Sequence, residues 1–207
     1  MKKVLFFYLF LFSVFGFSQS NWQKFKKLSC AEKTWTVLHV FKAKKAYLIA
    51  KEAQRVADSI ATTNLLDGDE SGGQVDAFRH AYWMARLHQE IGKRAARSLG
   101  KAHEKTNYQQ YKNSLLEDGE APDKISSDMD LFNNDMGLSF TQKGVAHPKN
   151  GLIYTIVNAI LAGKLKVIKK DKHRNYLSCN NKLITKKELK GKWKNDKCLI
   201  DSNYINN

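Results

Sequence analysis

"QVDAFRHAYWMARLH", Gln74 to His88, is the stretch on which the reading of this chain turns. Its apolar residues recur at three-and-four spacing, the mark of an amphipathic helix. Yet an aspartate, an arginine and a histidine stand within about one and a half turns of one another. On a wheel of about 100° per residue, Asp76, His80, Met84, Leu87 and Ile91 share an arc of about 80°, with Trp83 at its margin. Asp76 and His80 are therefore neighbours on the stripe that must pack, with Cβ atoms about 6 Å apart. A carboxylate beside an imidazole raises its basicity and fixes its tautomer, or holds it for a metal. Arg79 lies off the stripe, beside Arg86. The plainer account is that Asp76 favours the helix dipole from the first turn and His80 is a satisfied core histidine.

Two flanking helices add polar groups that one helix alone would not justify. In "KRAARSLGKAHEKT", Lys93 to Thr106, His103 shares an inward face with Gly92, Ala96 and Leu99. Glu104 sits at its border beside Arg97 and Lys101, where its bland role is a surface ion pair of little worth. A later helix, "DMDLFNNDMG", capped by Ser126 or Ser127, puts Asp130, Asn133, Asn134 and Gly137 on one arc and Met129, Phe132 and Met136 on another. Asp128 and Asp135 take a third direction, which suffices for solvent. Capping or local hydrogen bonding would also account for the asparagines. Burying all these groups separately would cost about 1–3 kcal/mol for each one left unsatisfied, so a shared cluster is expected.

The rest of the chain supports a helical fold. Ser29 and Glu32 form a capping-box pattern ahead of a first helix expected to run unbroken to about Ala61. "NLLDGDESGG" and "EDGEAPDKI" are loops by composition, and "NGLIYTIVNAILAG" is a fifth helix stopping at Gly163. Beyond it "NYLSCNNKLIT" reads as two short strands around an Asn-Asn turn, with "KCLI" as a third. The fold class is all-α: a compact bundle of about five helices with a short basic C-terminal tail folded as a β-hairpin. The division is residues 1–20 as signal peptide, 21–163 as helical domain and 164–207 as tail.

"DAFRHAYW", then "AHE", then "DLFNND", in that order, resembles an uncharacterised bacterial domain family found in exported proteins and at the C-terminal ends of large secreted toxins. The resemblance covers roughly Leu66 to Gly137 and omits the basic tail. It implies an all-α domain with Asp76, Arg79, His80, Trp83, His103, Glu104, Asp130, Asn133 and Asn134 as signature positions. It implies no reaction.

Lys2 and Lys3 precede the apolar run "VLFFYLFLFSVFGF" and the small residues of "GFSQS". That is the pattern of a secretory signal peptide cleaved after Ser18 or Ser20, with an uncleaved anchor as the alternative. Export to the periplasm or outside the cell would let cysteines oxidise. Cys179 and Cys198 are the natural pair because they bracket one short segment, leaving Cys30 odd; two other pairings stay open. Residues 164–197 carry 13 basic and 3 acidic groups, whereas residues 66–148 carry 10 basic and 13 acidic. Such a tail suits an anionic envelope polymer or lipid surface; nucleic acid fits less well without interleaved aromatics or a recognised motif. The bland alternative is a solvated tail that aids solubility.

Three functions follow. In the first, the chain is a hydrolase of phosphodiester or ester bonds at the cell envelope or beyond it. His80, His103, Glu104 and Asp130 would be its catalytic groups, with Asp76, Arg79, Trp83, Asn133 and Asn134 in binding and orienting roles. Its histidines and carboxylates have the chemistry to hold a zinc- or manganese-like divalent ion, but no tight H-E-x-x-H spacing is present, so a metal-free His–Asp arrangement stays equally open. In the second, the chain is a non-catalytic envelope-binding module whose polar cluster is structural. The third is a nucleic-acid-degrading toxin.

Overall fold

Helix α4 (Gln74–Ile91) is the axis of the molecule, and it packs against elements on every side. The computed structural model describes residues 18–113 and 121–204. The expected signal-peptide run, Lys2 to Phe17, lies outside those residues, as does Glu117–Glu120 of the expected loop. The other elements are α1 (Ser18–Lys27), α2 (Cys30–Leu38), α3 (Val40–Ala61), α5 (Lys93–Lys112), α6 (Lys124–Ser139), α7 (Lys149–Leu161), β1 (Lys166–Ile168), α8 (Lys186–Leu189) and β2 (Leu199–Asp201). Helices α3, α5, α6 and α7 and strand β1 all touch α4. The result is an all-α bundle with one small antiparallel sheet. Among the described residues no helix is long and apolar enough to cross a membrane.

Two apolar clusters share α4. Phe78 and Tyr82 pack with Ala53, Ala57 and Ile60 of α3, with Leu152, Ile156 and Ile160 of α7 and with Val167 of β1. Met84, Leu87 and Ile91 pack with Trp35, Ile49 and Leu138. Burying each large side chain stabilises the fold by about 1.5–3 kcal/mol. The α4–α6 crossing is unusually close. A Cβ at Gly137 would fall 2.2 Å from the Ala81 carbonyl oxygen, so only glycine lets the two backbones meet there.

Several element bounds differ from expectation, each for a local reason. The first helix is broken at His39 (φ −129°, ψ 39°) into α2 and α3. The His39 ring stacks on Trp35 at 4.6 Å, and its Nδ1 lies 3.0 Å from the Trp35 carbonyl. Trp35 itself donates from Nε1 to the Ala95 carbonyl and to Ser98 Oγ, anchoring α2 to α5. The expected capping box of Ser29 and Glu32 is present. Helix α6 starts before Ser126 because Asp123 is its cap: the Asp123 carboxylate accepts from the Ser126 amide, and Ser126 Oγ accepts from the Asp123 amide.

In the tail, the expected hairpin around Asn180 and Asn181 makes a single bridge, Leu177 to Leu183. The ladder instead joins segments far apart in sequence, with Lys166 opposite Asp201 and Ile168 opposite Leu199. The disulfide is Cys179–Cys198, and Cys30 is free and exposed. The tail lies against the helices. Lys169, Lys170 and Lys197 are buried, with Lys170 Nζ 2.6 Å from Asp69 and Lys197 Nζ 2.8 Å from Asp123. Such carboxylates offset the cost of burying an ammonium, and Lys169 Nζ stands 5.1 Å from the centre of the Tyr204 ring.

Candidate functional site

The loop before α4 winds back on the helix start. The Gln74 amide donates to the Asp67 carboxylate, the Asp67 amide donates to Gln74 Oε1, and the Gly72 amide donates to Asp76 Oδ2 at 2.7 Å. Gly72 has φ +80°, a conformation that suits glycine. One oxygen of Asp76 is thereby held, and its other oxygen, Oδ1, faces Arg79 Nη2 at 2.6 Å and His80 Nε2 at 3.5 Å. Burial alone would raise the Asp76 pKa. The positive charge of Arg79, then the pull of His80 and the Gly72 amide, outweigh burial and hold the carboxyl below its ordinary value.

Helix α6 completes the site from across the Gly137 crossing. Asp130 Oδ1 lies 3.3 Å from His80 Nε2, and Asn134 Oδ1 lies 3.3 Å from His80 Nδ1. Asp130 and Asn134 are one turn apart, so the i, i+4 pair brackets the imidazole with one group at each nitrogen. His80 is 3% exposed, so neither nitrogen is open to bulk water. When Nδ1–H donates to the Asn134 carbonyl oxygen, the Nε2 lone pair points at two carboxylates. That contact is favourable only if Nε2 is protonated or if a cation lies between the three groups.

The spacing suits a cation. A tetrahedral ion with bonds of about 2.0–2.1 Å sets its ligand atoms about 3.3–3.4 Å apart. The Nε2 distances to the two carboxylates are 3.5 and 3.3 Å, and Asp76, His80 and Asp130 offer ligand atoms all within 4.8 Å of one another. A histidine ligand whose second nitrogen donates to a carbonyl oxygen is the usual companion of such a site. Asp76 and Asp130 also line a small cleft of about 40 Å³, together with Arg79, Ser126, Tyr176 and Lys197.

The other residues singled out in the sequence fall around this core. The His103 ring is 6.4 Å from that of His80, centre to centre, and 5.6 Å from the Trp83 ring, which it meets edge-on. Its Nδ1 lies 3.5 Å from Glu32 Oε1. Burial works to raise Glu32, but the His103 contact and the Ser29 amide prevail and lower it. Glu104 is buried and accepts from Asn107 Nδ2 at 3.3 Å. Neither His103 nor Glu104 is among the residues lining the cleft. Asn133 turns away to β1, where its amide donates to the Lys166 carbonyl and accepts from the Lys166 N–H, both at 2.9 Å. Its place is that of a missing strand partner.

Sequence reasoning did not single out Asp69, Asp123, Tyr176, Lys170 or Lys197. Asp123 had a readable signal, since it stands three residues before Ser126 in a cap pattern. The pairs Asp69–Lys170 and Asp123–Lys197 join residues 101 and 74 positions apart and leave no local trace. Residues 33–164 match the family described as "Domain of unknown function (DUF6973)". No curated protein and no solved structure matches the chain.

Proposed function

The chain belongs to that domain family of unknown function, and from the geometry of its site we propose that it is a divalent-metal-dependent hydrolase. Asp76, His80 and Asp130 hold the ion, which would lower the pKa of a bound water and polarise the bond under attack. One observation carries this reading: His80 Nε2 stands between two carboxylates at 3.3 and 3.5 Å while Nδ1 meets the Asn134 carbonyl oxygen. Zinc or manganese suits a donor set of one imidazole and two carboxylates.

The Arg79 and Lys197 charges at the cleft are balanced by Asp76 and Asp130, so the preference for a phosphodiester over a neutral ester rests on the ion, which would neutralise phosphoryl charge. Arg79 anchors Asp76 through the 2.6 Å contact of its Nη2 with Oδ1. Asn134 holds the His80 tautomer. His103, 6.4 Å from His80, acts by packing and by its contact with Glu32 rather than at the ion. Export, and action at the envelope or outside the cell, belong to the same proposal; the Cys179–Cys198 disulfide is compatible with them.

Metal analysis of the purified protein, with hydrolysis of bis(p-nitrophenyl) phosphate, tests the reading. One equivalent of ion should be present, lost in His80→Ala and Asp130→Asn and kept in His103→Ala, with hydrolysis following the ion. A folded parent that binds neither zinc nor manganese would return the cluster to a structural role in a non-catalytic envelope-binding module.

A further inference from the structure

The break at His39 makes a corner that the catalytic reading does not use. On one side of it Val37 and Leu38 are 66% and 73% exposed; on the other Val40, Phe41 and Leu48 are 63%, 100% and 55% exposed. Single exposed apolar residues are ordinary, but a contiguous group of large ones marks an interaction surface.

The helical wheel of α3 explains the pattern. Its buried residues, Ala46, Ile49, Ala53, Ala57 and Ile60, fill an arc of about 80°. Val40, Phe41, Tyr47 and Leu48 project from an outward arc of about 120°, interleaved with Lys44, Lys51 and Arg55. From Trp22 to Lys51 the chain has 8 lysines and a single acidic residue, Glu32. Lys24 of α1 lies 5.0 Å from the Tyr47 ring centre and Lys51 lies 5.8 Å from it, so basic and aromatic groups of two helices share this face.

We infer that the α2–α3 corner docks on an anionic phospholipid surface. The corner inserts Leu38 and Phe41 among the acyl chains, and Tyr47 sits at headgroup level, where amphipathic rings collect. The lysines keep their ammonium groups at the phosphates while their stems run along the apolar face. A protein partner fits less well, because lysine is depleted from protein interfaces. What distinguishes the N-terminal corner from the basic tail is that its cations flank a contiguous group of large exposed apolar residues, Val37, Leu38, Val40, Phe41 and Leu48. The inference does not depend on a metal at His80.

Co-sedimentation of the full chain with phosphatidylcholine vesicles, with and without phosphatidylglycerol, tests it. Any affinity from the apolar run near the N-terminus is common to parent and variants. The parent should favour phosphatidylglycerol vesicles, and the preference should fall with salt. Phe41→Asp and Leu38→Asp should each weaken that binding at least about tenfold, and Lys44→Glu about fivefold or more. All three should melt with the parent, since these side chains face solvent. The inference is overturned if the parent shows no preference for phosphatidylglycerol, or if Phe41→Asp and Leu38→Asp bind as the parent does. A dimer in solution that Phe41→Asp dissociates, without vesicle binding by the parent, would overturn it in favour of a second copy of the chain.

Discussion

His80 and Asn134 meet across the α4–α6 crossing, with the imidazole Nδ1 3.3 Å from the side-chain carbonyl oxygen. A carbonyl oxygen can only accept, so this contact calls for the proton on Nδ1 and turns Nε2 to the carboxylates of Asp76 and Asp130. Replacing Asn134 with leucine removes the acceptor at similar volume. Affinity for zinc should fall about 10–100-fold, while Asn134→Asp, which keeps an acceptor, should lose less. Competition with a chromogenic chelator measures both.

Gly137 sets the distance across which that contact is made. A methyl group there would lie 2.2 Å from the Ala81 carbonyl oxygen and 2.7 Å from its Cα, and neither backbone atom can swing aside. Gly137→Ala should destabilise the fold by about 1–3 kcal/mol or more, read from the midpoint of urea denaturation. Metal affinity should fall as well, because Asp130 and Asn134 move with α6.

Glu52 predicts how stability depends on acid. Burial would raise its pKa, but the Tyr82 hydroxyl and Arg86, with Lys149 nearby, hold it below the ordinary 4.5. A carboxyl whose folded pKa is depressed contributes stability above its unfolded pKa and loses it as pH falls through the folded value. Urea midpoints should therefore drop as pH goes from above 4.5 to below Glu52's folded pKa. Glu52→Gln should be less stable than the parent at pH 7 and show a shallower fall. Tyr82 moves the other way: burial and then the Glu52 carboxylate push its phenol upward, so it stays protonated and donating throughout this range.

The tail's attachment is also measurable. The Cys179–Cys198 bridge spans a sequence separation of 19, and closing a loop of that size stabilises by about 3 kcal/mol. Reduction should lower the urea midpoint accordingly. Lys197→Met leaves the Asp123 carboxylate buried without its cation and should cost about 3–5 kcal/mol. If the tail were a solvated appendage, neither change would move the midpoint.

Parts of this architecture are plain in the chain itself. The stripe through Asp76, His80 and Met84 is helical by spacing, and α4 runs as its pattern and the following Gly92 indicate. The capping box at Ser29 is equally legible. The break at His39 is not, because a side chain bonded to a carbonyl one turn back competes with helix continuation only when Trp35 is anchored on α5. Nor is the division of labour between Asn133 and Asn134: neighbours in sequence, they face β1 and His80 respectively, and only the position of β1 separates their roles.

From sequence alone came the helical class, the stripe that carries Asp76 and His80, and the polar surplus on the α5 and α6 segments, because each follows from side chains a few residues apart on one element. Tertiary structure alone decided that Asp130 reaches the same nitrogen as Asp76, that the basic tail is pinned by buried ion pairs, and that the apolar corner at Phe41 is left uncovered by the other described residues. Those outcomes depend on how closely separate helices approach, and an approach governed by a missing Cβ at Gly137 or by a lysine 74 residues from its aspartate has no local signature.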